Sequence, residues 1–171
     1  MNTIATRICL CRALLATFLL TSLFVMAAPL SAAKAGQVPF QASFDTEFQS
    51  SAGFPVIDIT VQGNGSGLQI GSATTFSTDE RVNLISGTAT ATFTLIAANG
   101  DTIVIFDAFN VTEVPGGVIF SGTYNVIGGT GRFAGATGQG ALTGSAQFTG
   151  EGVGVGDFAL DGTISSPGSR N

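Results

Sequence analysis

Hydrophobic and polar residues alternate along most of the chain from Phe40 onward, which is the period of a half-buried β-strand. In the first such segment the even positions Phe40 to Phe48 are mostly apolar and the odd positions are polar. The clearest segment runs from Thr88 to Leu95, where threonine alternates with alanine, phenylalanine and leucine. The pattern predicts eight strands, near residues 40–49, 56–62, 68–77, 88–95, 102–109, 118–127, 136–148 and 157–164.

Turn-forming residues separate these segments. Asn99-Gly100 predicts a tight hairpin, because this dipeptide supplies the positive φ angles that such turns require. The glycine-dense stretches 63–67 (GNGSG) and 128–138 (GGTGRFAGATG) are also interpreted as turns, and residues 78–83 as a polar loop. Every predicted connection is therefore short.

Eight strands with short connections and no segment of helical period predict an all-β domain. We expect an eight-stranded antiparallel up-and-down β-barrel, since sequential hairpins and glycines at bends suit closure. A two-sheet sandwich is the alternative, although the cysteine and tryptophan pair of an immunoglobulin domain is absent. A glycine-repeat β-solenoid is a third option, but the glycine clusters have no fixed period.

The first 35 residues have a different composition. Arg7 and Arg12 precede an uncharged apolar run over residues 13–28, and Ala33-Lys34-Ala35 matches the small-residue rule for cleavage before Gly36. This pattern predicts a signal peptide at 1–35, one barrel domain at 36–165 and a flexible tail at 166–171. We expect the mature protein to be secreted or periplasmic, with no stable membrane span; an uncleaved membrane anchor is the alternative.

Composition narrows the chemistry further. The chain carries six basic and eleven acidic residues, and three of the basic residues lie in the predicted signal peptide, so the mature chain has a net charge of −8. A field of this sign disfavours nucleic-acid binding. There is no histidine, and both cysteines (Cys9 and Cys11) lie in the leader. We therefore expect no disulfide, no histidine base, no metal site and no cofactor.

The stretch GGTGRFAGATG, which follows a strand ending in Tyr124-Asn125-Val126-Ile127, resembles the corresponding turn of the allene oxide cyclase and dirigent barrel superfamily. The segment 97–101 (AANGD) resembles a turn of bacterial exported members of that group. The resemblance implies an eight-stranded antiparallel barrel and assigns a structural role to one turn motif. In that role Phe133 plugs the barrel end, and Arg132 reaches solvent or a neighbouring carbonyl. The glycines that permit the turn are Gly128, Gly129 and Gly131. It transfers no catalytic residue.

Candidate ligand-binding residues are Tyr124, Asp107 and Glu113. Tyr124 falls on the predicted inward face, where its phenol would orient a ligand or simply fill space. Asp107 and Glu113 belong to a set of carboxylates on or beside strands, which either converge inside the barrel or alternate with apolar residues because they face water. No catalytic residue is assigned.

Three functions fit these observations. The preferred hypothesis is a non-enzymatic exported barrel that binds a small apolar ligand or serves as a surface or matrix component. An isomerase or cyclase-like enzyme acting on an apolar substrate inside the barrel is the second. The third is a structural or adhesive module whose threonine-rich faces pair with other copies of the chain. A cavity inside the barrel would separate the first two from the third.

Overall fold

The structure, a computed structural model, describes residues 36–165 and 167–168. Eight antiparallel strands pair in sequence order, and the last pairs back with the first to close a barrel. This architecture confirms the predicted eight-stranded antiparallel up-and-down barrel. The predicted signal peptide lies outside the described residues, as do residues 166 and 169–171 of the predicted tail. The strands are β1 Gln37–Ser50, β2 Val56–Gly67, β3 Gly71–Asn83, β4 Thr88–Ala97, β5 Thr102–Val114, β6 Gly117–Gly129, β7 Gly138–Gly150 and β8 Val153–Ser165.

The apolar residues of the alternating pattern face the inside of the barrel, and the polar residues between them face the outside. In β4 every alanine, Phe93 and Leu95 are buried, whereas the threonines between them are exposed or half-buried. Phe40 and Phe44 of β1 are likewise buried, and Phe44 stacks on Phe158 of β8 with ring centroids 5.0 Å apart. The apolar interior is the main source of stability, because its burial removes a large apolar area from water. The predicted Asn99-Gly100 hairpin is confirmed between β4 and β5.

The prediction of a turn at residues 63–67 is wrong. These residues are the second half of β2 and pair with β1. A side chain at Gly65 would collide with the backbone of β1 and with the Phe44 ring, which lies directly opposite. Gly65 therefore makes room for an aromatic ring of the neighbouring strand and does not change the direction of the chain.

The third predicted strand is displaced. It was expected at 68–77 with a polar loop at 78–83, but residues 68–70 form the turn and β3 continues to Asn83. Of the polar residues 78–83, residues 81–83 pair with both neighbouring strands and Glu80 pairs with β2, whereas residues 78 and 79 lie in a β-bulge. The run is polar chiefly because several of its residues face solvent, and one of its members, Glu80, points toward the barrel interior.

One end of the barrel is closed by the turn motif. Gly128 and Gly129 end β6, and Gly131–Phe133 form one turn of 3₁₀ helix whose Phe133 side chain is buried. Arg132 lies over the Phe133 ring, donates a hydrogen bond from Nη2 to the Ile70 carbonyl (3.1 Å) and places Nε 3.6 Å from Asp101 Oδ2. In the part of the chain that the structure describes, no helix has the length and apolar character needed to cross a membrane.

Candidate functional site

The opposite end of the barrel contains a cavity of about 610 Å³. Its lining includes the turn that joins β3 to β4 (residues 84–87) and Gly116 between β5 and β6, together with Ser50 and Phe148 near the ends of β1 and β7, so its mouth is at the end away from Phe133. This volume falls within the range of small-molecule sites. Most of the wall is apolar, and the aromatic and aliphatic side chains that line it include Phe48, Ile57, Ile59, Val61, Val82, Phe93, Phe109, Val111, Val118, Phe120, Leu142 and Phe158.

A β-bulge in β3 turns an acidic side chain into this cavity. Ile59 and Val61 of β2 are separated by one residue, but their partners on β3, Glu80 and Ser77, are separated by two. The same extra residue appears in the pairing with β4. Because side chains alternate between faces, one extra residue lets both Ser77 and Glu80 point inward. Glu80 lines the cavity as a result.

Asp79 occupies the gap that the bulge leaves in the ladder. Its Oδ1 accepts hydrogen bonds from the backbone N–H of Thr92 (2.8 Å) and from Ser77 Oγ (3.1 Å). Burial by itself would raise the pKa of Asp79, but the hydrogen bonds from Thr92 and Ser77 outweigh it and hold this pKa below its ordinary value of 3.8. Asp79 is therefore an ionised group that fixes the shape of the bulge.

Asp107 is the second carboxyl in the cavity wall. It lies on β5, its side chain is fully buried, and neither carboxylate oxygen has a hydrogen-bond partner among the described residues. Burial raises the pKa of Asp107 to about 7, and the negative charge of Asp79 contributes to the rise. The nearby backbone N–H of Ala91 offsets part of this effect without reaching hydrogen-bond geometry.

Glu80 and Asp107 influence each other. Burial, together with the negative charges of Asp107 and Asp79, raises the pKa of Glu80 to about 8. Two carboxyls in one apolar cavity thus hold protons near neutral pH, which is a common property of functional sites. Among the described residues, neither arginine neutralises them: Arg81 pairs with Asp58 on the outer face (3.0 Å), and Arg132 lies at the closed end.

The structure distributes the three predicted ligand-binding residues differently. Asp107 lies in the cavity wall, and Glu113 is exposed at its mouth. Tyr124 is buried outside the cavity lining, where it packs edge-on against Phe40 and lies close to Gly140. Its hydroxyl has no partner among the described residues, and burial, with the charge of Asp161, raises the pKa of Tyr124 to about 12. Tyr124 therefore belongs to the packed part of the barrel.

Glu80 is the site residue that sequence reasoning missed. It was included in the predicted polar loop, and the sequence contains no clear signal for it. In the structure, buried positions in β3 are odd-numbered up to Ser77 and even-numbered at Val82, a change of phase caused by the inserted residue. In the sequence, the large apolar residues Phe76 and Val82 are both even-numbered, so no such change is visible.

Metal binding finds no support within residues 36–165 and 167–168, where no three acidic side chains come close enough to hold an ion. Asp107 and Glu80 are two ligands only, which is fewer than Ca²⁺ or Mg²⁺ sites use. The site is therefore considered below as a site for an organic molecule.

Similarity to known proteins is found among solved structures. No protein-family model matches the chain, and no curated protein matches it. Among solved structures, that of the pterocarpan synthase dirigent protein GePTS1 is similar with a TM-score of 0.47 and 14% sequence identity, covering 79% of this chain and 89% of that one. A similarity of this size carries no argument about function, which rests on the residues of this chain.

Proposed function

We propose that this protein is an exported barrel of the allene oxide cyclase and dirigent type that binds a small, largely apolar molecule in the cavity. The observation that carries the proposal is the cavity of about 610 Å³ with the buried, unpartnered carboxyl of Asp107 in its wall. Apolar walls with a few polar groups are typical of sites for small molecules. Export, to the periplasm, the cell surface or the medium, belongs to the same proposal and rests on the sequence of residues 1–35.

The unequal filling of the barrel supports binding over a purely structural role. An eight-stranded barrel is just wide enough for its own side chains or for one small ligand. Here the half near Phe133 is filled by large buried residues such as Leu95, Ile103 and Ile164, whereas the other half is hollow. A module that acts only through its outer faces has no need of the hollow half.

The mouth of the cavity is apolar as well. Phe54 is 78% exposed and Ile85 is 72% exposed, and both lie in turns at this end of the barrel. Exposed side chains of this size are costly to hydrate and often mark a contact or entry site. An apolar molecule would meet a favourable surface before it enters.

Binding can be tested with N-phenylnaphthylamine, an uncharged fluorophore that brightens in apolar sites. We expect the purified protein to increase its fluorescence. Val111→Trp, which places a large ring in the cavity, should weaken binding at least tenfold, or about 1.4 kcal/mol. Thr112→Trp is the matched control, since Thr112 is the next residue and faces outward. The proposal fails if the wild type does not bind, or if the folded Val111 variant binds as well as the control.

A second candidate, an isomerase or cyclase-like enzyme, is favoured by one observation. Glu80 and Asp107 retain protons near neutral pH inside an apolar cavity, as proton donors in active sites do. Incubation of apolar host extracts with the protein, followed by mass spectrometry, would show products formed by the wild type and not by Asp107→Asn. Unchanged extracts would leave binding as the better-supported function.

A further inference from the structure

The cavity combines an apolar wall with two carboxyl groups and no positive charge among the described residues. Asp107 is fully buried, neither of its oxygens has a partner within residues 36–165 and 167–168, and Glu80 is directed into the same space by the β3 bulge. From this geometry we propose that the cavity selects a small organic amine in its cationic form, with the ammonium group held by Glu80 and Asp107. The inference rests on the proposed function, because it names the class of molecule that the same cavity takes.

The hydrogen-bonding chemistry favours an ammonium group. An ionised carboxylate only accepts hydrogen bonds, and an ammonium group only donates them. A primary ammonium has three N–H donors, enough to serve both oxygens of Asp107 and one of Glu80. Hydrogen bonds between charged partners are also the strongest of their kind, particularly away from water.

Charge favours the same ligand. All acidic groups around the site add negative potential: Asp79 stands behind the bulge, and Glu113 lies at the mouth. Tyr124, the remaining titratable group on the inner side, stays neutral because its pKa is about 12. An anionic ligand would bring a further negative charge into this field, and a neutral ligand would leave the repulsion between the carboxylates in place.

The apolar part of the cavity wall determines which uncharged groups the ligand can carry. Phe93, Phe109, Phe120 and Phe158 line it, so an aromatic or aliphatic body would be buried against aromatic rings. Aromatic faces also attract cations. A hydrated inorganic cation would gain nothing from this wall, which distinguishes an organic amine from a metal ion.

Three probes with one ring system test the proposal: naphthalenemethylamine, naphthalenemethanol and naphthalenecarboxylate. At neutral pH we expect titration calorimetry to give an affinity for the amine at least tenfold above that for the alcohol, and the weakest binding for the carboxylate. Asp107→Asn and Glu80→Gln should each lower the amine affinity about tenfold, while the alcohol affinity changes less than about twofold. Asp45→Asn and Glu47→Gln make the same chemical changes on the exposed face of β1 and should have no effect.

The dependence on pH provides an independent readout. Amine affinity should increase as the pH rises through about 7 and 8, where Asp107 and Glu80 ionise, until the amine itself loses its proton. Affinity for the alcohol should not follow this profile. Glu80→Gln should reduce the dependence even if Asp107→Asn proves too unstable to purify.

The outcomes separate this inference from the proposed function. If the alcohol binds as tightly as the amine, and the folded cavity variants bind both as the wild type does, selection for a cation is wrong and apolar binding stands. If none of the probes binds and N-phenylnaphthylamine also fails, both proposals are wrong. Loss of amine binding in Glu47→Gln as well as in the cavity variants would assign the effect to surface charge and overturn the inference.

Discussion

Replacing Glu80 with glutamine tests whether the cavity carboxyl is held in an unfavourable environment. The amide has nearly the shape of the protonated acid but cannot ionise. Glu80 has a raised pKa in the folded barrel, so between pH 4.5 and about 8 the folded state binds more protons than the unfolded state. Stability from this group is therefore present at low pH and lost as the pH rises through that window.

The size of the effect follows from the pKa. Each pH unit by which the pKa of a group rises on folding corresponds to about 1.4 kcal/mol. For a rise from 4.5 to about 8, ionised Glu80 destabilises the barrel by on the order of 5 kcal/mol. Glu80→Gln should thus equal the wild type in stability near pH 4 and exceed it by a few kcal/mol near pH 9.

Urea unfolding followed by far-ultraviolet circular dichroism, repeated across this pH range, measures the difference. Asp107 and Asp79 remain in both proteins, so the difference reports the ionisation of Glu80 together with its repulsion from these two charges. Glu47→Gln, on the exposed face, should follow the wild type at every pH. Stability curves for Glu80→Gln and the wild type that stay parallel from acid to alkaline pH would refute the reasoning.

Two further predictions concern the framework of the site. Asp79→Ala removes the acceptor of the Thr92 N–H and should lower the free energy of unfolding by about 1–3 kcal/mol, measured by urea denaturation, whereas Asp45→Ala should change it little. Phe133→Ala removes the buried ring at the closed end and should lower the free energy of unfolding by about 3–5 kcal/mol, measured as a lower melting temperature. Phe54→Ala removes an exposed ring and should leave the melting temperature unchanged. Equal effects of the two substitutions would contradict the role of Phe133 as a plug.

The barrel could be predicted because its main determinant is local. Alternation decides which side of a strand faces the interior, and tight turns decide that neighbours in sequence pair, so the pattern around Thr88 to Leu95 and the Asn99-Gly100 turn contain enough information. Gly65 shows the limit of that information. Glycine in a turn and glycine opposite Phe44 look the same in the sequence, and only the register between β1 and β2 distinguishes them.

The site could not be predicted because it depends on contacts between residues that are far apart in the sequence. The phase change between Ser77 and Val82 is seen in the burial pattern of β3 and not in the sequence, where the run of polar residues is equally typical of a loop. That Glu80 shares a cavity with Asp107 depends on the position of β3 and β5 on either side of β4. The cavity itself depends on how completely the side chains of all eight strands fill the interior, which no single segment determines.

The two carboxyls connect stability with binding. In an empty barrel they oppose folding at neutral and alkaline pH, because an apolar cavity solvates a carboxylate poorly. A side chain of this kind is expected where it serves binding or chemistry rather than packing, since an apolar residue at either position would make the fold more stable. A ligand that supplies positive charge removes the penalty and stabilises the barrel by mass action. The same groups that weaken the empty protein would thereby give the complex its selectivity.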